Sequence, residues 1–200
     1  MVYGKKLLRT YFYLYVLFNM LKYGRGGIKK KLNIQEFDEV YALFEKAFIP
    51  AELRPYEKML PLLEKGEFDV YGYYQNNKLT GALLIWEFDD FVYLENFAVD
   101  ESVRGQGIGS ILLDEMKTLF PHKLLILEVE EPTDDISKRR IGFYERNGYV
   151  LNPFHYIQPT LRSNATEVNL MLMSYPESIN VYSFDQIKKQ IFRVVYQQMV

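Results

Sequence analysis

The chain contains no cysteine. Disulfides and thiolate metal sites are therefore excluded, and any acyl transfer cannot run through a cysteinyl intermediate. Histidine is almost as scarce. His122 lies beside Pro121 and His155 near Pro153, neither in a metal-ligand spacing, so no metal is expected. Long apolar runs are also missing: the stretch from Thr10 to Leu21 falls short of the roughly 20 residues that a membrane-spanning helix needs. The basic residues ahead of it imitate a signal peptide, yet Lys22-Tyr23-Gly24-Arg25-Gly26-Gly27 offers no cleavage site of the usual kind. The expectation is a cytoplasmic protein.

Charged residues make up 25% of the chain and nearly cancel, but they are unevenly placed. The net charge is -2, while residues 1 to 32 hold eight Lys or Arg and no acid, which leaves 16 basic against 26 acidic residues in the rest. An acidic main body argues against nucleic-acid binding, whereas the basic start is a candidate for weak membrane-surface contact. Two other readings of residues 1 to 27 stand beside it: a helix packed on the domain, or a dispensable extension whose natural start is Met20. With 48% hydrophobic residues, the remaining length supports one packed unit. It divides into a domain over 28 to 175 and a C-terminal helix over 176 to 200, whose face could serve a homodimer.

Periodicity predicts the elements. Asn33 caps a helix over 34 to 48, with Phe37, Val40, Tyr41 and Phe44 on one face, and a second helix runs from Pro55 towards Glu64. Residues 68 to 75, 79 to 88 and 91 to 99 read as three antiparallel strands joined at Asn76-Asn77 and Asp89-Asp90. A helix then begins at Gly107 and stops before Pro121, and Leu124 to Val129 form a buried strand. A helix over 137 to 147 ends on Gly148, strands follow at 149 to 157 and 166 to 173, and Ser183 with Gln186 suggests a capping box for the last helix. Helices, meander, helix, strand, helix and strands in this order define an α+β class with a mixed sheet.

Chemistry is most legible at Arg104-Gly105-Gln106-Gly107-Ile108-Gly109-Ser110. A helix N-terminus presents unpaired N–H groups and a partial positive charge, glycines let an anion come close, and Arg104 adds a cation, which together suit a diphosphate. Gly109-Ser110-Ile111 lacks the lysine of an ATP-binding loop. Ser110 stands where a dinucleotide fingerprint has its third glycine.

Leu94-Glu95-Asn96-Phe97-Ala98-Val99-Asp100 followed by Arg104-x-x-Gly107-x-Gly109 resembles the coenzyme A-binding motif of the GNAT N-acetyltransferase superfamily. Leu127-Glu128-Val129 and Phe143-Tyr144-Glu145-Arg146-Asn147-Gly148-Tyr149 are similar to its second motif, so the likeness covers roughly residues 28 to 173. The resemblance implies a GNAT-like twisted, mainly antiparallel sheet of about six or seven strands flanked by helices and splayed between its fourth and fifth strands. It also implies acetyl-CoA as cosubstrate and a small-molecule or peptide amine as acceptor. It places the pantetheine arm along Phe97, Ala98 and Val99, and the pyrophosphate on Arg104 to Ser110. A backbone N–H of Ala98 or Val99 would then polarise the thioester, and Tyr144 would act as general acid.

Two glutamates compete as base, with Glu95 slightly ahead. Strand alternation puts Glu95 on the face of Phe97 and Val99, and its surroundings resemble polyamine-type members; Glu128 resembles the base of some protein N-terminal acetyltransferases. There is one departure: Ser137 stands where many members carry asparagine, behind the acidic stretch Glu130 to Asp135. Those acids read as a solvated loop or as a lure for a cationic amine. Two functions follow, an acetyltransferase acting on an unidentified amine, or a catalytically silent acyl-CoA-binding or regulatory module.

Overall fold

The computed structural model describes residues 27–30, 32–161 and 168–197. The readings made for the basic N-terminal segment fall outside the described residues. Twelve elements follow in chain order: β1 (Gly27–Lys30), α1 (Ile34–Ala47), α2 (Tyr56–Lys65), β2 (Asp69–Gln75), β3 (Lys78–Glu87), β4 (Phe91–Val99), α3 (Ile108–Leu119), β5 (Leu124–Glu130), α4 (Asp135–Arg146), β6 (Val150–Ile157), β7 (Asn169–Tyr175) and α5 (Val181–Val194). They build one seven-stranded sheet in the order β1-β2-β3-β4-β5-β7-β6. Every neighbouring pair is antiparallel except β4 with β5. No described helix is long and apolar enough to cross a membrane.

Local chemistry sets most boundaries. The Asn33 side chain accepts from the Glu36 amide at 2.9 Å and the Glu36 carboxylate accepts from the Asn33 amide at 3.1 Å, a reciprocal cap for α1. The last helix differs from expectation. Asn180, not Ser183, is its cap, because the Asn180 side chain accepts from the Ser183 amide at 2.9 Å and starts the helix three residues earlier. Likewise Asp134 caps α4 and holds Ser137 as its third residue. Edge strand β1 was not expected; four residues after a glycine cluster carry too little pattern to read.

Packing assigns the helices to faces. On one side Phe37, Phe44, Met59, Trp86, Phe184 and Ile191 share a core, which seats α1, α2 and α5. On the other Leu83, Ile85, Ile108, Leu112, Met116 and Ile141 share a second core, which seats α3 and α4. Each fully buried side chain of this size contributes about 1.5–3 kcal/mol. A cap contributes about 1 kcal/mol, so packing decides where a helix lies and the cap decides where it starts.

The sheet forks in its centre. β4 and β5 pair from Phe91↔Leu124 to Leu94↔Leu127 and no further, although β4 continues to Val99 and β5 to Glu130. A bulge lies at the fork: Ile85 faces Leu94 and Leu84 faces Asn96, leaving Glu95 without a partner on β3. An extra residue bends a strand and strengthens its twist, which turns β4 away from β5. It also changes the phase of the pleat. Tyr93 and Ala98 belong to the first core, whereas Leu94, Phe97 and Val99 pack with the second. Strict alternation cannot do that, and for this reason Glu95 does not share the face of Phe97 and Val99 as expected. Its carboxylate turns to Trp86 in the first core.

Candidate active site

The fork opens a cleft of about 850 Å³, with one wall from β4 and α3 and the other from β5 and α4. Glu95, Phe97, Ala98, Val99, Arg104, Gly105, Gly107, Ile108, Gly109, Ser110, Glu128 and Tyr144 all line it, so both motifs meet in one place. Gln106 is exposed and stands outside the lining. Ile136, Arg139, Arg140 and Phe143 complete the α4 wall. Of these, the sequence reading had named only Phe143, through its motif.

The donor end is built from backbone. After β4, Asp100 accepts from the Ser102 amide at 2.9 Å and sets a single 3-10 turn over Glu101–Val103. The Ser102 hydroxyl and amide, joined by Lys78, hold the Asp100 carboxyl down to about 2. The chain then reverses into α3 through Gly107, whose φ of 83° is strained for any residue with a Cβ and which supplies no side-chain cap. With no cap, the first amides of α3 remain open to an anion. Gly109 works differently. A Cβ there would meet Phe143 Cζ at 2.9 Å, so this glycine lets α4 close against α3.

Strand register selects the amide that faces the fork. The Asp100 amide donates to Thr80 O on β3 at 2.9 Å, and amides alternate sides along a strand. Those of Phe97 and Val99 therefore point into the cleft, and that of Ala98 points to β3.

Tyr144, in the last turn of α4, is buried between Phe143 and Tyr149, with ring centroids at 5.2 and 5.9 Å. Burial pushes its hydroxyl up to about 12 against a smaller opposing effect of Arg140, so it stays protonated through the neutral range. Ser137, the departure from the family pattern, is buried with its hydroxyl donating to Asp134 O at 3.0 Å. The acidic stretch is largely occupied within the protein: Asp134 caps α4, Glu130 pairs with Arg140 at 2.7 Å, and Glu131 contacts His155 at 2.8 Å.

Glu95 and Glu128 are the first residues beyond the last paired rung, Leu94↔Leu127, one on each branch of the fork. Their environments differ. Glu95 Oε1 pairs with Arg54 Nη2 at 3.4 Å and its Oε2 accepts from Trp86 Nε1 at 2.6 Å, with the two side chains of the ion pair only 8% and 5% exposed. Arg54 is itself anchored, donating to Val195 O at 2.7 Å. Among the described residues no cation pairs with Glu128. Its Oε2 accepts from Tyr93 at 2.6 Å and Tyr196 at 2.8 Å, and its Oε1 accepts from Tyr156. Burial pushes the Glu128 carboxyl above its ordinary value, and neighbouring Glu95 adds to this, while the three hydroxyls oppose it. None of Arg54, Trp86, Tyr93, Tyr156 or Tyr196 was anticipated. With 17 tyrosines in the chain, no local signal separates these three from the rest.

A forked sheet, an uncapped glycine-led helix and a buried carboxylate opposite a tyrosine define a coenzyme A-type acyltransferase cleft, and comparison with known proteins agrees. Residues 37–149 match the sequence profile of the acetyltransferase (GNAT) family, and the chain belongs to that family, whose members are acyl-CoA-dependent N-acetyltransferases. A Bacillus subtilis (strain 168) protein named as an acetyltransferase, YjbC, is 28% identical over 131 residues, which are 64% of this chain and 65% of that relative. The match thus spans about two thirds of each. A Bacteroides thetaiotaomicron structure described as a GNAT-family acetyltransferase superposes with a TM-score of 0.78 at 25% identity, covering 88% of this chain and 99% of that one. An Elizabethkingia anophelis GNAT-family acetyltransferase with acetyl-CoA bound shares the fold, with a TM-score of 0.53 at 18% identity over 74% and 96% of the two chains.

Proposed function

We propose that the protein transfers the acetyl group of acetyl-CoA directly to a primary amine, with Glu128 as base and Tyr144 as acid. One observation carries this reading: the fork brings Glu128, Tyr144, the inward amide of Val99 and the open N-terminus of α3 into a single cleft.

The donor-side residues suit the cosubstrate. Arg104 and the first amides of α3 hold its pyrophosphate, and Phe97 to Val99 offer an unpaired strand edge to its amide-bearing arm. An ammonium acceptor has an ordinary pKa near 10.4, so it must lose a proton before it attacks. The Glu128 carboxylate takes that proton, directly or through one water. A nitrogen–carbon bond then forms as the carbon–sulfur bond breaks. Val99 N–H donates to the carbonyl oxygen while it carries negative charge, Tyr144 passes its proton to the departing sulfur, and the second proton of the acylated nitrogen passes through water to the Tyr144 oxygen, which leaves a neutral amide.

Glu128 is preferred to Glu95 because of what each would leave behind. Both Glu95 oxygens are already engaged, by Arg54 Nη2 and Trp86 Nε1, and drawing the carboxylate into catalysis would leave the buried Arg54 guanidinium without its anion. Glu128 is held by neutral hydroxyls, and burial raises its carboxyl above the ordinary value. Glu95 then serves to hold β4 to the loop between α1 and α2.

The test is a thiol-release screen with acetyl-CoA over polyamines, amino acids, aminoglycosides and peptide N-termini. Turnover with at least one class is expected. Absence of both turnover and a thermal shift with coenzyme A rejects the proposal, and a thermal shift without turnover would identify a silent acyl-CoA-binding module instead.

A further inference from the structure

The family match ends at Tyr149, yet two of the three hydroxyls on Glu128 come from later in the chain. Tyr156 belongs to β6, and Tyr196 follows the last turn of α5, where its amide still donates to Ile191 O at 3.1 Å. We infer that Tyr196 is a positioning residue for Glu128, and that the C-terminal segment thereby completes the active site.

Three contacts set Tyr196 in place. α5 is docked through Phe184, Ile187 and Ile191 in the first core. Phe192, one turn before Tyr196, lies 5.9 Å from the Tyr196 ring and 5.8 Å from that of Tyr156, so the helix end orients both phenols together. Gln158 Nε2 donates to the Tyr196 hydroxyl at 3.0 Å, which leaves the hydroxyl proton directed at Glu128 Oε2. Next to it, the Val195 carbonyl accepts from Arg54, the cation that grips Glu95. One turn of chain therefore touches the supports of both glutamates at the fork.

Glu128 is faced by Tyr93 and Glu95 from β4, Tyr156 from β6 and Tyr196 from the end of α5, with Arg54 behind Glu95. Among these, Tyr196 stabilises the ionised carboxylate by donating to it, and its removal should make Glu128 harder to ionise. A hydrogen bond of this type moves a titration by about one pH unit.

This inference rests on Glu128 being the base, and two separate readouts keep the ideas apart. Glu128→Gln examines the base itself through turnover of acetyl-CoA with the best amine from the screen. Tyr196→Phe is read by carbon NMR of the Glu128 carboxyl in the coenzyme A-bound protein, a titration that needs no acceptor. The expected result is an upward move of about one pH unit, with the acid limb of kcat/KM moving alike and roughly tenfold lower kcat/KM below it. The KM for acetyl-CoA should not change. If the variant loses coenzyme A binding, Gln158→Met, which weakens the Tyr196 donor while keeping it, should shift the titration the same way by less. A Glu128 titration that superimposes on that of the unmutated protein, in either folded variant, overturns the inference even where the melting temperature has dropped.

Discussion

The two ends of the cleft are built by different means. The donor end is a continuous stretch from Phe97 to Ser110 whose working parts are backbone amides, two positive-φ glycines and one exposed arginine. The other end is assembled from Arg54, Trp86, Tyr93, Glu95, Glu128, Tyr156 and Tyr196, all through side chains and spread over most of the chain. A ligand common to a whole family suits a local backbone device, since most side chains can vary around it. A base tuned by burial and hydroxyls needs a surrounding supplied by several elements at once.

If that contrast holds, damage at the base end should strike chemistry and damage at the donor end should strike binding. The largest effect is expected from Glu128→Gln, a fall in kcat/KM of about 10²–10⁴ with coenzyme A binding retained; an equal loss of binding would break the comparison. Tyr144→Phe should follow, lowering kcat by about 10² in steady-state assays while the KM for acetyl-CoA stays put. Gly107→Val should do the opposite. Forcing a β-branched residue to positive φ costs about 1–2 kcal/mol, which calorimetry should record as roughly tenfold weaker coenzyme A binding with kcat preserved at saturation.

The smallest effect is on stability. Because Glu128 titrates above its ordinary value of 4.5 in the folded protein, its contribution to stability is fully present below that value and is lost as pH rises through the raised one. Melting curves between pH 4 and pH 8 should therefore show a shallower decline with rising pH in Glu128→Gln than in the unmutated chain, and parallel slopes would refute the raised value.

The same contrast explains what the sequence disclosed. The capping box at Asn33, the three-strand meander, the helix after Gly107 and the pairing of Gly107 with Tyr144 in one cleft were all readable, since each depends on residues a few positions apart or on a family motif. The cap of the last helix was misplaced because Ser183 is as good a cap chemically as Asn180, and no local signal chooses between them. The facing of Glu95 was misread because a bulge leaves no trace in a run such as Tyr93-Leu94-Glu95-Asn96-Phe97, where period-two reasoning assumes an unbroken pleat. The tyrosines around Glu128 were invisible for a third reason. Tyr93, Tyr156 and Tyr196 meet through sheet order and helix docking, which no spacing in the chain encodes.

The unpaired residue in β4 has one more consequence. It works as a frameshift in the pleat: before Glu95 the strand presents Tyr93 to one layer and Leu94 to the other, and after it the odd-numbered residues change layers. Removing that single residue would not merely delete a carboxylate. It would also make the pleat continuous, since Leu94 and Asn96 already face the adjacent Ile85 and Leu84, and Phe97 and Val99 would keep their layer while β4 lost the bend that turns it away from β5.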